Sequence, residues 1–488
     1  MLRHQLSRRP VAACAARRTP PPATLAFSRS ARTSASVTAA AGGAALQETY
    51  PLAVVDQLDS SRPHAAHLLG TQLVLWRDAT GSWRAHEDKC PHRLAPLSEG
   101  RIESDGTLQC AYHGWTFDGS GACTHIPQLR GDDKAQGVAC ASRKSCLRSY
   151  PCQELHGLLW VLQDSSEAGW KQAAAMPTPA TAPPELTPSS GWAQYLTWYM
   201  RDLPLRYDTI MENFFDPTHV PFAHHGVQSK RSTEQGTQMS LKAQERDTIT
   251  ADYRFGPAAP TTTITFQAPN FVRYDFGPSQ LLIYTTPTQP GWVRVIYGYV
   301  RDTRVKPKTP SWSGWLGHAM LQLMAERPWI DHLINRHSTL DGDTYFLHQA
   351  ERTLLAQKND WRAAYFMPAQ ADRWLDERGG AVPTCELGTP MPPQMTKRQV
   401  LDRYSQHTQH CKHCQQALKN AEAAAAVLAA CGALAALWLV ARGVAGLPLL
   451  APATGLGLLA VTACGWGAAA LAALRQKFFF EDYVHADK

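Results

Sequence analysis

Cys90-Pro91-His92-Arg93-Leu94-Ala95-Pro96-Leu97-Ser98-Glu99-Gly100 and, one hairpin later, Cys110-Ala111-Tyr112-His113-Gly114-Trp115 decide how the first half of this chain reads. Each segment pairs one thiol with one imidazole at close spacing. A [2Fe–2S] cluster with two cysteines on one iron and two histidines on the other needs that arrangement, and the imidazoles raise its potential above that of an all-cysteine cluster. Tetrahedral zinc also accepts two thiolates and two imidazoles. Zinc fingers, however, keep their Cys–Cys and His–His pairs apart, whereas each pair here mixes one of each. Gly106, Gly114 and Gly119 supply tight turns beside the loops. Cys90, His92, Cys110 and His113 are the expected cluster ligands. Cys123, Cys140, Cys146 and Cys152 follow without paired histidines and read as small buried hydrophobes.

Around these loops, Gln72–Arg77, Ser82–His86, Gly114–Phe117 and Leu158–Leu162 predict short strands, parted by turn clusters such as Asp118-Gly119-Ser120-Gly121. Residues 48–165 are therefore expected to form an all-β Rieske [2Fe–2S] domain. Residues 166–190, with Pro, Thr and Ser crowded into Met176–Ser190, read as an extended linker. Residues 191–400 form a second domain of mixed character. Thr261–Gln267, Gln280–Thr286 and Trp292–Val300 read as strands, Pro204–Phe215 and Trp315–Gln357 as helices, the latter interrupted at Pro328. The fold class is α+β.

The centre of the second domain is Met211-Glu212-Asn213-Phe214-Phe215-Asp216-Pro217-Thr218-His219-Val220-Pro221-Phe222-Ala223-His224-His225. On an unbroken helix, His219 and His224 would point roughly 140° apart. Pro221 prevents the unbroken helix, so both imidazoles can converge. Two histidines and one distant carboxylate make the facial triad of non-haem Fe(II) oxygenases, with positions left open for O2. Leu340-Asp341-Gly342-Asp343-Thr344-Tyr345 is the candidate source of the carboxylate, and Asp343 is favoured over Asp341. His225 reads as a turn residue or a support behind the ligands. Asp216 can accept a hydrogen bond from the far nitrogen of a metal-bound imidazole, and can also cap the helix that carries His219.

The flanks differ in composition. Residues 1–47 hold seven arginines, no lysine and no acid. Removing them from the net charge of +7 leaves the rest formally neutral, so the basic balance is no sign of nucleic-acid binding. An Arg-, Ser- and Ala-rich stretch with no apolar core fits an organelle transit peptide, against the alternative of an unaddressed tail. Twelve cysteines in a chain of 488 residues without a secretory leader point to metal or redox chemistry before disulfides. Within residues 401–420, Cys411-Lys412-His413-Cys414 reads first as a dithiol open to thioredoxin exchange. With His407 and His410 nearby, it reads second as a metal site. Residues 421–475 contain two apolar runs, Ala423–Ala441 and the stretch after Pro448 to Leu474, each long enough to cross a bilayer core of roughly 30 Å. Lys419, Arg475 and Lys477 sit at the outer ends of this hairpin, which puts the soluble domains and the tail, 476–488, on one side. A buried Ala-rich helical pair is the competing reading.

With both motifs quoted, the chain from Tyr50 onward resembles the chloroplast Rieske oxygenases that include pheophorbide a oxygenase. The segments Cys90–Ile102, Cys110–Trp115, Tyr207–His225, Asp341–Asp343, Lys397–Arg403, Gln406–Cys414 and Asp482–His485 carry the similarity. Thr49-Tyr50-Pro51 departs from the family's Trp-Tyr-Pro, and residues 228–330, expected to line the substrate pocket, match loosely. The resemblance implies a helix-grip-like catalytic domain, a [2Fe–2S] cluster and a mononuclear Fe(II). It also implies ferredoxin as electron donor, O2 and a tetrapyrrole as substrates, and a homotrimer. It further implies that His113 of one subunit meets Asp216 of its neighbour, which in turn contacts His219. The implied location is a chloroplast membrane, inner envelope or thylakoid, with the soluble domains in the stroma. The implied reaction is oxygenolytic opening of the macrocycle, with a sister tetrapyrrole oxygenase as the near alternative and a non-catalytic membrane redox sensor as the distant one. The aromatics Trp192, Tyr195, Trp198 and Tyr199 are candidates for the substrate pocket or for plain core.

Overall fold

A computed structural model describes residues 48–245, 247–305, 312–357, 391–448 and 451–487. The transit-peptide expectation for residues 1–47 lies outside the described residues. The chain divides into two compact units, one built chiefly from Asp59–Ala182 and the other from Pro183 onward together with Ala53–Leu58.

In the first unit, His64–Leu68, Thr71–Arg77, Trp83–Glu87 and Ser149–Tyr150 pair in that order as a four-stranded sheet. A second four-stranded sheet, Arg101–Ile102, Leu108–Gln109, Thr116–Phe117 and Cys123–His125, carries one of the Cys/His loops between its middle strands. Leu158–Leu162 lies between Thr49–Val54 and Cys152–Leu155, and all of its residues are buried. Val74, Trp76, Leu97, Leu108 and Phe117 form a core that includes Cys90 and Cys110, so the cysteines rest on an apolar floor.

Two expectations need correction here. The strand expected from Gly114 starts at Thr116, because Gly114 turns through φ +74°, outside any strand geometry. The first third of the expected linker is the helix Glu167–Ala175. Ser166 starts it by accepting the Gly169 N–H at 3.3 Å, and Glu167 and Lys171 pair one turn apart. From Met176 the Pro-rich segment has no strand and no α-helix, and runs through turns closed by Ala182 N–H to Pro179 O and Ser190 N–H to Thr187 O on either side of a 3-10 turn at Pro184–Leu186. The otherwise β unit also contains the helix Asp133–Ala141, capped by Asp132.

The second unit is organised by a seven-stranded antiparallel sheet in the order Trp192–Leu203, Val293–Asp302, Ser279–Pro287, Phe271–Asp275, Thr262–Gln267, Thr248–Phe255 and Thr237–Gln244. The aromatic segment after Trp192 is thus an edge strand, bulged near Leu196. The helix Tyr207–Phe215 buries Tyr207, Ile210, Met211, Phe214 and Phe215, the spacing of a single apolar stripe, and packs on the sheet. Farther on, Trp312–Glu326, Pro328–Asp331 and His337–Ala356 are α-helical, broken at Pro328 as expected. A π-turn at His332–Arg336 joins the last two. Tyr199 reaches across to His337 Nδ1 at 2.8 Å, which lays this helical run on the sheet.

Lys412–Val444 and Pro452–Lys477 pack side by side. A Cβ on Gly457 or Gly467 would come within 3 Å of Trp438 or Leu428, so small residues set the close approach. Their apolar windows are 0% and 6% buried, and Leu434, Val440, Leu456 and Trp466 face outward. A buried helical pair inside a soluble core does not fit that exposure.

Candidate active site: two clusters of metal-ligating side chains

In the first unit, the two Cys/His loops share one hydrogen-bond pattern. The Cys90 N–H donates to Ala95 O and the Leu94 N–H to Cys90 O, both at 2.8 Å. The Cys110 N–H donates to Trp115 O at 2.9 Å and the Gly114 N–H to Cys110 O at 3.0 Å. Leu94 and Gly114, at equivalent places, both adopt positive φ. The loops are therefore two copies of one turn, each presenting a buried cysteine and a histidine nearer the surface. The His92 and His113 rings lie 4.5 Å apart, and Trp115 stacks on His92 at 4.9 Å. Asp88 braces the first loop by accepting the Ser98 N–H and hydroxyl. Burial pushes the Cys90 thiol up to about 12, and the Cys110 thiol lies in hydrogen-bonding contact with it. His92 Nδ1 is buried without a hydrogen-bond partner. An orphaned nitrogen beside two facing thiols is what a cluster ligand looks like when its partner is an iron. These four side chains could hold a [2Fe–2S] cluster.

In the second unit, His219, His224 and Asp343 converge, with their ligand atoms within 4.8 Å of one another. The two Nε2 atoms are 3.3 Å apart, and they lie 3.6 and 3.2 Å from the two Asp343 oxygens. The convergence has a different local cause from the expected proline break. A 3-10 turn, Pro217–His219, runs into the four-residue helix Val220–Ala223, and Pro221 occupies its first turn, where proline costs no hydrogen bond. The helix then stops, leaving His224 just past its end. His219 Nδ1 lies 2.5 Å from the backbone oxygen of Asp216, which fixes the tautomer and leaves Nε2 as a lone-pair donor. The Asp216 carboxylate takes the Thr218 N–H and hydroxyl, so within the chain it acts as a cap, and its carbonyl is what supports His219.

Asp343 comes from the helix His337–Ala356. Burial works to raise its pKa, but the facing His224 and His219 outweigh it and hold the carboxyl below its ordinary range. Asp341 sits elsewhere. It is fully buried between Arg201 at 2.8 Å and Arg403 at 2.6 Å, so its charge is already spent on two guanidiniums. Gly342, between the two acids, lets the helix approach: a Cβ there would lie 3.0 Å from Ala223 O and 3.1 Å from His224 Nδ1. The tail closes over the same place. Tyr483 donates to Ala223 O at 3.0 Å, and His485 Nε2 lies 2.9 Å from Gly342 O. Neither Gly342 nor the tail was assigned a role from sequence. His225 accepts the Arg231 N–H and stays out of the triad.

A cavity of about 430 Å³ opens on these three side chains. Three strands each present a pair two residues apart to it, Tyr253 and Phe255, Leu281 and Ile283, Tyr297 and Tyr299, and a fourth presents Tyr274, with Phe276 just past its end. These lie within the loosely matching 228–330 region. Trp192, Tyr195, Trp198 and Tyr199 do not line the cavity, and Trp198 and Tyr199 are core. Strand alternation was the available signal for the true lining, but it needed the register of the sheet to say which face is inward.

Residues 48–151 match the Rieske [2Fe-2S] domain family, and residues 266–361 match the pheophorbide a oxygenase family. A chloroplastic pheophorbide a oxygenase of Oryza sativa subsp. japonica is 34% identical, over 90% of this chain and 84% of its own. The chain belongs to the pheophorbide a oxygenase family. It is a Rieske non-haem iron oxygenase, with a [2Fe–2S] cluster and a mononuclear iron as its cofactors. The Arabidopsis thaliana pheophorbide a oxygenase, also chloroplastic, is 32% identical over 90% of this chain and 83% of its own. A chloroplastic flavonoid 8-hydroxylase of Ocimum basilicum is 31% identical over 73% of this chain and 70% of its own. As an oxygenase of this kind, it needs an electron donor, O2 and an organic substrate. These three relatives are chloroplast proteins, and two helices here are long and apolar enough to cross a membrane.

Proposed function

We propose that this chain is a ferredoxin-dependent oxygenase of a chloroplast membrane that opens the macrocycle of pheophorbide a. The observation that carries the reading is the cavity with aromatic walls that ends on His219, His224 and Asp343. A flat apolar ring system suits walls of tyrosine and phenylalanine, and similarity to pheophorbide a oxygenases over 90% of the chain names the substrate class. In this reading, Cys90, His92, Cys110 and His113 hold the cluster, and His219, His224 and Asp343 hold the mononuclear iron, which when bound supplies O2 activation. Asp216 orients His219 through its carbonyl, and its carboxylate carries electron transfer from His113 of a neighbouring subunit in a homotrimer. Phe214, Tyr274 and the other lining side chains exclude water and hold the ring. The apolar hairpin anchors the enzyme where such a substrate partitions, with its soluble units in the stroma.

A sister oxygenase is the second reading, because the basil relative is a hydroxylase of a different aromatic compound on the same scaffold. A pure redox sensor needs no cavity against a facial triad. The test supplies the purified enzyme, its cluster first seen to be reducible, with reduced ferredoxin, pheophorbide a and O2, and follows the pigment by mass spectrometry. Gain of oxygen with loss of macrocycle absorption is expected. An enzyme whose cluster cycles while the pigment stays intact has another substrate.

A further inference from the structure

The described residues contain a third group of metal-ligating side chains, formed by none of the residues of the first two. His332, His407, Cys411 and Cys414 are each at most 1% exposed, and their ligand atoms all lie within 4.8 Å of one another. We propose that these four side chains bind a structural zinc ion, which fastens the start of the apolar hairpin to the helix that carries Asp343.

The geometry supports a closed tetrahedral site. His407 Nε2 is 3.1 Å from His332 Nδ1. Cys414 Sγ is 3.3 Å from His332 Nδ1 and 3.4 Å from His407 Nε2, and Cys411 Sγ is 3.9 Å from His332 Nδ1. Zinc bonds of about 2.3 Å to sulfur and about 2.0 Å to nitrogen, set at tetrahedral angles, need ligand atoms roughly 3.3–3.8 Å apart. Four of the six separations, at 3.1–3.9 Å, lie close to that spacing, and all six are within 4.8 Å. His407 Nδ1 lies 2.5 Å from the backbone oxygen of Met200, so its proton is on the far side and its Nε2 is free to donate a lone pair inward. Leu333, Leu418 and Phe478 pack around the group, with Trp329 beside them. A dry apolar shell makes four polar side chains costly unless something satisfies them together. Two thiolates and two imidazoles with no open position select zinc over the harder divalent ions.

The ligands come from two separate segments, which also meet through the buried Arg403–Asp341 ion pair. Cys411 and Cys414 flank the first turn of the helix Lys412–Val444, and His407 precedes them by one short turn. His332 opens the π-turn that leads directly into His337–Ala356. His410, the other neighbouring histidine, bonds to Gln409 instead. The dithiol reading of the Cys-x-x-Cys is weakened by burial, because exchange with an oxidoreductase requires an accessible sulfur and both are 0% exposed.

The test is metal analysis of the full-length protein, purified in detergent after growth with zinc. One zinc per chain beyond the iron of the two cofactor sites is expected, surviving dialysis against EDTA and released on unfolding. Both thiols should resist alkylation until then. Growth with cobalt in place of zinc should give the visible spectrum of tetrahedral Co(II)–thiolate. Cys414→Ser and, separately, His332→Ala should lower zinc by more than about tenfold while the visible circular dichroism of the Rieske cluster, in the other compact unit, persists. Folded wild-type protein with an intact Rieske spectrum and no zinc overturns the proposal, as does extra iron in zinc's place. A Cys411–Cys414 disulfide in that protein overturns it in favour of thiol exchange. Zinc retained in full by both variants overturns the site assignment. If either variant fails to fold, the wild-type stoichiometry and the cobalt spectrum still decide.

Discussion

The sharpest choice lies between two aspartates separated by a single glycine. Asp343 faces both imidazoles, whereas Asp341 is enclosed by Arg201 and Arg403. Their substitutions should therefore fail in different ways. Asp343→Asn is expected to lose the mononuclear iron while thermal stability stays near wild type, measured as iron per chain and melting midpoint. Asp341→Asn breaks a fully buried charge network, at a cost of about 3–5 kcal/mol, and should lower the melting midpoint before it touches iron binding. Asp216 offers a similar separation. Asparagine there keeps the carbonyl beneath His219 and can still cap Thr218. Asp216→Asn should thus leave both metals in place yet slow turnover by more than about tenfold, since only the charge offered outside the chain is lost. Unaltered single-turnover rates would exclude that role. The histidine pair was legible from spacing, and Leu340–Tyr345 was only the candidate source of the acid. Which acid faces the two imidazoles was not legible, because residues two apart on a helix point roughly 160° apart and only the arginines show which direction is occupied.

At the scale of elements, the triad depends on how closely one helix meets one loop. Gly342 allows His337–Ala356 to lie against Ala223 and His224. Gly342→Ala should move the helix by a few tenths of an ångström and weaken iron binding by about tenfold without unfolding the unit, read as iron retained after dialysis. In the first unit, the strand Trp83–Glu87 buries His86 completely, and that burial, aided by Arg84, pulls its pKa down to about 4. The unfolded chain protonates this residue near pH 6.5, so it binds the proton more readily than the folded one between those values. The stability His86 contributes is full above pH 6.5 and falls as pH drops toward 4, by about 3 kcal/mol at the end. His86→Gln should flatten the acid limb of the melting curve by that amount; an unchanged slope would assign the acid sensitivity elsewhere. Strands rich in Val, Leu and Trp were readable along the sequence, as was a helix ending at Phe215. The Glu167–Ala175 helix was hidden because its prolines lie just downstream and outweigh one Ser cap in a composition window.

For the whole molecule, the tail and the hairpin have separate tasks. Arg475 and Glu422 pair at 2.7 Å where the hairpin begins and ends, so its two feet are adjacent. Beyond it, Tyr483 and His485 return to the triad's backbone. Replacing residues 423–474 by a short flexible linker should yield a protein soluble without detergent that keeps its mononuclear iron. Truncation after Asn420 removes the tail as well and should lose that iron. Equal iron contents in the two proteins would show that the tail does not support the site.

Local chemistry alone determined the Rieske loops, the histidine pair and the apolar hairpin, because each is a short-range pattern: ligand spacing of a few residues, or an uncharged run of a helix's length. The acid that meets the two histidines, only favoured as Asp343 by the sequence, the walls of the cavity and the His332–Cys414 cluster were decided by tertiary structure. The acid and the cluster join residues between roughly eighty and more than a hundred positions apart, from His332 to Cys414 or from His224 to Asp343. Nothing in the intervening sequence encodes such a meeting except the sheet register and helix packing that produce it.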